Sequence, residues 1–153
     1  MARLEKMSEE ERKVFLSLPC PSYETTPWVT GPALSERRLA IISTAGLHRR
    51  NDRPFGLGSA DYRVIPANTP PHDLVMSHVS INFDRSGFQQ DWNIVFPLDR
   101  LRELVEQKVI GSLADYHYSF MGASDPKQME GTARNLAKIM KNDRVDAVLL
   151  VPV

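Results

Sequence analysis

The chain ends on DAVLLVPV, residues 146–153, with an unbroken apolar run from Ala147 to Val151. A terminus is ordinarily polar and frayed unless something ties it down. This one reads as the interior of a domain. The preceding stretch, DPKQMEGTARNLAKIMKNDR, has helical signals: Asp125 as N-cap, Pro126 at the first helical position and Gln128 at the capping-box position. Met129, Ala133, Leu136, Ala137 and Met140 fall on one face, and Lys138 and Lys141 lie near the negative end of the helix dipole. Helix, tight turn and apolar strand form the second half of a βαβ unit. Such strands sit inside parallel sheets covered by helices on both faces.

Outward from that end, RLAIISTAG (38–46) repeats the buried-strand pattern. DYRVIP and DLVMSHVSIN (73–82) read as further strands, FDRSGFQQDWN as a loop centred on Gly87, and IVFP as a short apolar run. PLDRLRELVEQKVIG has helical spacing at Leu98, Leu101, Leu104 and Val105, with Gly111 as its stop. Near the start, Ser8 and Glu11 form a capping box ahead of a short helix, which Pro19 and Pro21 end. The predicted organisation is an N-terminal helix and proline-rich extended segment (1–37), then the N-terminal part of an α/β domain (38–153). The expected fold is a three-layer, mostly parallel sheet with helices on both faces, Rossmann-like or flavodoxin-like, and incomplete at its C-terminus.

Nineteen basic and nineteen acidic side chains among 153 residues give a net charge of +0. That balance supplies no electrostatic footprint for nucleic acid or an anionic membrane. No apolar run approaches the roughly 18 residues of a membrane span, and no secretory signal opens the chain, so the cytoplasm is expected. The lone Cys20 has no internal disulfide partner and lies in a proline-rich segment without a fixed base, which makes an inert thiol the simpler reading. No spacing of His, Asp or Cys matches a metal site. GLGSA, from Gly56, lacks the pattern of a phosphate loop.

In open α/β sheets the working groups gather beyond the carboxyl ends of the strands. The first strand delivers STAGLH (43–48): Ser43, Thr44 and Gly46 can bring backbone donors to a ligand, and His48 can carry a proton near neutral pH. The alternative is a tight turn with a solvated histidine. SHVSINFDRSGFQQD (77–91) is the densest polar run on β-rich sequence. Within it His78, Asn82, Asp84, Arg85 and Gln89 can line a pocket, with Arg85 holding a substrate carboxylate or pairing with Asp84. The alternative is an ordinary loop beside a satisfied histidine. His117, between Tyr116 and Tyr118, lines a pocket or packs between helices.

TAGLH, SHVSINFDRSGFQQDWNIVFPLDRLREL, IGSLADYHYSFMGASDP and DAVLLVPV together resemble the selenoprotein B family of glycine, sarcosine, betaine and D-proline reductases. The likeness runs from LPCPSYETTPWVTGP to the end and is greatest to the short bacterial members. It implies an oxidoreductase subunit that reductively cleaves a C–N bond of a small amino-acid-like substrate. In that family the strand similar to VLLVPV runs into a selenocysteine or cysteine motif. The resemblance therefore implies a nucleophile just after Val153 and a chain cut at a selenocysteine codon, inactive in reduction by itself.

The resemblance also implies partners: another reductase subunit carrying a pyruvoyl group, and a thioredoxin-like donor. No other cofactor is expected, and self-association through an open sheet edge is. His48, His78 and Asp84 are the residues expected nearest the nucleophile. The competing reading keeps the scaffold without redox chemistry, as a small-ligand-binding or assembly protein. A hydrolase has no GxSxG elbow to support it.

Overall fold

A computed structural model describes residues 4–17, 22, 24–26, 28–81 and 83–153. Its elements are α1 (Glu9–Ser17), β1 (Arg38–Ser43), β2 (Leu47–Arg49), β3 (Arg63–Pro66), β4 (Leu74–Met76), α2 (Ser86–Gln90), α3 (Leu98–Glu106), β5 (Ser112–Leu113), β6 (Tyr116–Ser119), α4 (Pro126–Asn142) and β7 (Ala147–Val151). The fold is α/β with a mixed sheet. β7 and the β5–β6 segment flank β1 on opposite sides, both parallel to it, and β3 joins β6 antiparallel. β2 and β4 form a separate antiparallel pair.

β1 and β7 are in register over five residue pairs, from Leu39–Ala147 to Ser43–Val151. Successive side chains therefore fall on alternate faces as matched rows. Leu39 and Ile41 share a buried cluster with Phe96, Leu98 and Leu101, and Ala147, Leu149 and Val151 pack against it. On the other face Tyr118 and Phe120 bury Leu136 of α4, with Ile42, Met129 and Met140 alongside. Of the helical stripe read from the sequence, Met129, Leu136 and Met140 are packed, while Ala133 and Ala137 are exposed. Asp125 caps α4 by accepting from the Lys127 amide at 3.0 Å.

Arg38 latches the amino-terminal edge of the sheet. Its amide donates to Asp146 Oδ1 at 2.8 Å, its Nη1 to the Leu113 carbonyl at 2.7 Å, and its Nη2 to Asp143 Oδ1 at 3.1 Å. One side chain thereby ties β1 to β5 and to the turn between α4 and β7.

Several expectations change. YHYS, read as a cluster between helices, is β6, a strand beside β1. Its alternation is masked because all but one of its residues are buried. DLVMSHVSIN is a strand only over Leu74–Met76, and SGFQQ within the expected loop is the short helix α2. IVFP enters a single 3-10 turn over Trp92–Ile94 that buries Val95 and Phe96. α3 ends at Glu106, well before Gly111, and Lys108 takes the left-handed conformation (φ 60°). Gly111 instead lets the Glu36–Arg37 backbone approach: a Cβ there would lie 2.7 Å from Glu36 C.

The Ser8–Glu11 capping box forms, with Glu11 N donating to Ser8 Oγ at 3.2 Å and Ser8 N to Glu11 Oε2 at 3.0 Å. α1 itself buries no residue. Pro19, Cys20 and Pro21 lie outside the described residues. β7 is not buried on both faces: Val148 is 39% and Leu150 68% exposed.

Burial separates these positions energetically. Ile41→Ala is expected to cost about 2–5 kcal/mol of stability, and Leu150→Ser no more than about 0.5 kcal/mol. Urea unfolding of the two variants measures the contrast.

Candidate active site

The carboxyl ends of β1, β6 and β7 converge. Thr44 N donates to the Val151 carbonyl at 3.1 Å, and Gly122 N donates to the Thr44 carbonyl at 2.8 Å. Beyond β7, Val153 N donates to Thr44 Oγ1 at 2.8 Å, and the hydroxyl reaches the Val153 carbonyl at 3.3 Å. The end of the chain is thus drawn onto the strand end by one side chain.

Gly122 makes the convergence possible. A Cβ there would lie 2.6 Å from the Val153 carbonyl oxygen, 2.9 Å from that of Thr44 and 3.2 Å from His78 Nε2. Two of those neighbours are backbone, so they cannot swing aside. Gly122 and the Val153 backbone escaped the sequence reading. The small residues of GAS, 122–124, follow β6, which the sequence did not show to be a strand.

His78 enters this point from the loop after β4. Gly46 admits it: φ is +65°, and a Cβ would stand 3.1 Å from both the N and Cα of His78. The ring is 5% exposed and lies 4.9 Å, centroid to centroid, from Phe83. The Ser80 amide donates to its Nδ1 at 3.2 Å. An amide can only donate, so Nδ1 is the acceptor and the neutral ring carries its hydrogen on Nε2. That Nε2, beside Gly122, has no partner among the described residues. Burial, and after it the charge of Arg85, holds the imidazole below its ordinary pKa. The site is therefore a neutral, buried N–H aimed at the meeting point of three strand ends.

The other two buried imidazoles are placed differently. His48 Nδ1 lies 2.8 Å from the Arg49 carbonyl, which can only accept, so His48 is the Nδ1–H tautomer with a bare Nε2. It pairs with Val75 in the β2–β4 ladder. That is three residues, about 10 Å of strand, from the level of His78. His117 is fully buried, accepts from the Ile41 amide at 3.1 Å and packs edge-on to Phe96. Its ring takes the β1 amide left between the β5 and β6 pairings, so it packs within the sheet and not between helices as expected. Burial foremost, then the charges of Arg102 and Arg38, pull its pKa down to about 4.

The strand-end amides do not face a ligand. Those of Thr44, Ala45, Gly46 and Leu47 bond to the Val151 carbonyl, Ser43 Oγ, the Phe120 carbonyl and Ser119 Oγ. Ser43 Oγ also donates to the Val95 carbonyl at 2.7 Å. STAGLH therefore positions the site through the Thr44 hydroxyl and through amides bonded within the protein, where backbone donors to a ligand had been expected. Asp84 is exposed and accepts from the Ser86 amide at 2.9 Å at the start of α2. Arg85 turns inward to the His78 and Ser80 carbonyls, and no ion pair joins it to Asp84 among the described residues. Gln89 lines an open groove with Arg50, His72 and Trp92, lined by neither His78 nor Gly122. Asn82 lies outside the described residues. No group of three His, Cys, Asp or Glu side chains suited to a metal occurs among the described residues. No described helix is long and apolar enough to cross a membrane.

The polar centre lies at the carboxyl ends of parallel strands, where open α/β sheets commonly bind ligands. A family model for glycine/sarcosine/betaine reductase selenoprotein B matches residues 65–153, and the chain belongs to that family. It is 35% identical over 132 residues to the D-proline reductase subunit gamma of Acetoanaerobium sticklandii, covering 82% of this chain and 54% of that one. It is 29% identical over 140 residues to the sarcosine reductase complex component B subunit beta of Peptoclostridium acidaminophilum, covering 86% of this chain and 32% of the relative. A glycine reductase complex component B subunit gamma from Symbiobacterium thermophilum is 26% identical over 147 residues, with 32% of its length covered. The chain thus spans about half the length of the first relative and a third of the other two. No solved structure matches it.

Two outcomes follow from the geometry. Gly122→Ala forces the Val153 and Thr44 carbonyls apart and is expected to cost about 1–3 kcal/mol, read by thermal or urea unfolding. His117 makes stability pH-dependent. Its folded pKa of about 4 lies below the ordinary 6.5, so between those values the unfolded chain binds more protons. Its contribution is complete above the higher value and is lost as pH falls toward the lower, by roughly 3 kcal/mol at most. Urea unfolding across that range is expected to show the slope, and His117→Gln to flatten it.

Proposed function

We propose that the chain is the N-terminal part of a selenol- or thiol-dependent reductase subunit of the glycine, sarcosine, betaine and D-proline reductase type. In this reading the substrate is a small amino-acid-like molecule whose C–N bond is reductively cleaved, and the reactive selenium or sulfur atom lies just beyond Val153. One observation carries it: Thr44 holds Val153 against Gly122, where His78 Nε2–H is buried without a partner among the described residues. A residue following Val153 would emerge beside that donor. The buried Nε2–H, without a partner among the described residues, fits an anionic selenol or thiol side chain.

Such a group would supply a soft, largely ionised nucleophile. The chain's own residues set its surroundings. His78, neutral and fixed as Nε2–H, donates a hydrogen bond to the anion and steadies it in a water-poor site. It is poorly made for releasing a proton, since protonating Nδ1 would break the Ser80 bond. Asp84, exposed on the loop after His78, can meet a substrate ammonium. Electrons reach the site from a thioredoxin-like thiol donor, and a partner subunit contributes the pyruvoyl group that activates the substrate.

The same reading makes this sheet the first part of a three-layer, Rossmann- or flavodoxin-like arrangement. The exposure of Val148 and Leu150 suits it, since a further strand or helix would cover them. So does the length of the relatives. A cytoplasmic enzyme complex is the setting.

The codon after Val153 and radioselenium labelling of the full-length product test the proposal together. An in-frame UGA, a labelled longer chain and loss of label on mutating that codon to alanine are expected. A UAA or UAG there returns the scaffold to ligand binding or assembly. In the complete complex His78→Ala is expected to lower turnover by about 10²–10³-fold.

A further inference from the structure

We infer that Arg85 is a positioning residue that locks His78 in its Nε2–H form by clamping the backbone of the turn around it, and is not a clamp for a substrate carboxylate. The guanidinium of Arg85 is half-buried, and its Nη2 donates to the carbonyls of both His78 and Ser80, the second at 3.1 Å. Those two carbonyls bracket the turn whose third polar group, the Ser80 amide, donates to His78 Nδ1 at 3.2 Å. Drawing both carbonyls toward one nitrogen orients that amide toward the imidazole. The amide then excludes a hydrogen from Nδ1 and leaves it on Nε2, the nitrogen beside Gly122.

The neighbouring contacts agree with this division of labour. Gly46 fixes where the His78 backbone sits and Phe83 covers one side of the ring, but neither distinguishes Nδ1 from Nε2. The Ser80 amide does, and Arg85 grips its turn. Arg85 also brings a fixed positive charge close to the ring, which opposes imidazolium formation. The Asp84 carboxylate takes the Ser86 amide and so starts α2 immediately after Arg85, fixing the base of the side chain. One arginine thus supplies both the geometry and the field that keep His78 a hydrogen-bond donor.

The inference rests on the proposed role of His78, yet its test involves no redox chemistry. Long-range ¹⁵N–¹H spectra of the histidine rings report which nitrogen carries the hydrogen. At pH 7 His78 is expected to show a bare Nδ1 and a protonated Nε2. His48 is expected to show the opposite pattern, and His117 the same one as His78, as internal controls. In Arg85→Gln the two His78 nitrogens are expected to move toward a common, averaged shift while His48 and His117 stay in place. Should the glutamine variant lose those control signals, Arg85→Met, which keeps the apolar stem, answers the same question. An Nδ1–H or imidazolium form of His78 in the unaltered chain at pH 7, or a His78 pattern unmoved in a folded Arg85 variant, overturns the inference. Neither result bears on whether selenium follows Val153, which the labelling decides.

Discussion

Everything in the site depends on β1 being held from both sides. β7 runs along one edge in register, and β5 and β6 share the other. Arg38 latches one end of this arrangement and Thr44 the other. A parallel strand cannot close on its neighbour through a short hairpin, so its partners must be brought back by helices. The α4 helix does this for β7, and Leu136 anchors it against Tyr118 and Phe120. With β7 in register beside β1, the extension past Val151 crosses Thr44 toward Gly122. Position at the site is therefore a consequence of strand register.

The three buried imidazoles show how the backbone divides one residue type into different chemical species. A carbonyl at Nδ1 makes His48 an Nδ1–H ring with a bare Nε2. An amide at Nδ1 makes His78 and His117 the reverse. His117 then completes a break in the sheet, where it is fully enclosed. His78 brings its Nε2 to the strand ends beside Gly122; like that of His117, this nitrogen has no partner among the described residues. Burial favours the neutral form in both, so the difference between a packing histidine and a donor at a site lies in where the second nitrogen points.

The uncovered face of β7 connects fold to family. Leu149 and Val151 meet the main core while Val148 and Leu150 stay in solvent, so one strand is half interior and half surface. A polar alternation would have suited such a strand alone. The continuous apolar run instead suits a strand with company on both faces, and the relatives are longer chains.

Much of this was legible in the residues. The helices at 98–106 and 126–142 announced themselves by 3.6-residue periodicity and, for the second, by its cap. β1 and β7 did so by unbroken apolar runs, and the long polar motif carried the family likeness. These are local signals, set by chain geometry and the solvent preference of each side chain. What the sequence could not show was β6, whose burial hid its alternation, and the convergence of Thr44, His78, Gly122 and Val153. Those residues are separated by dozens of positions and meet only because three strands end together. The tautomer of each histidine was likewise settled by tertiary structure, because it depends on whether a backbone amide or a carbonyl arrives at Nδ1, and no run of letters encodes that.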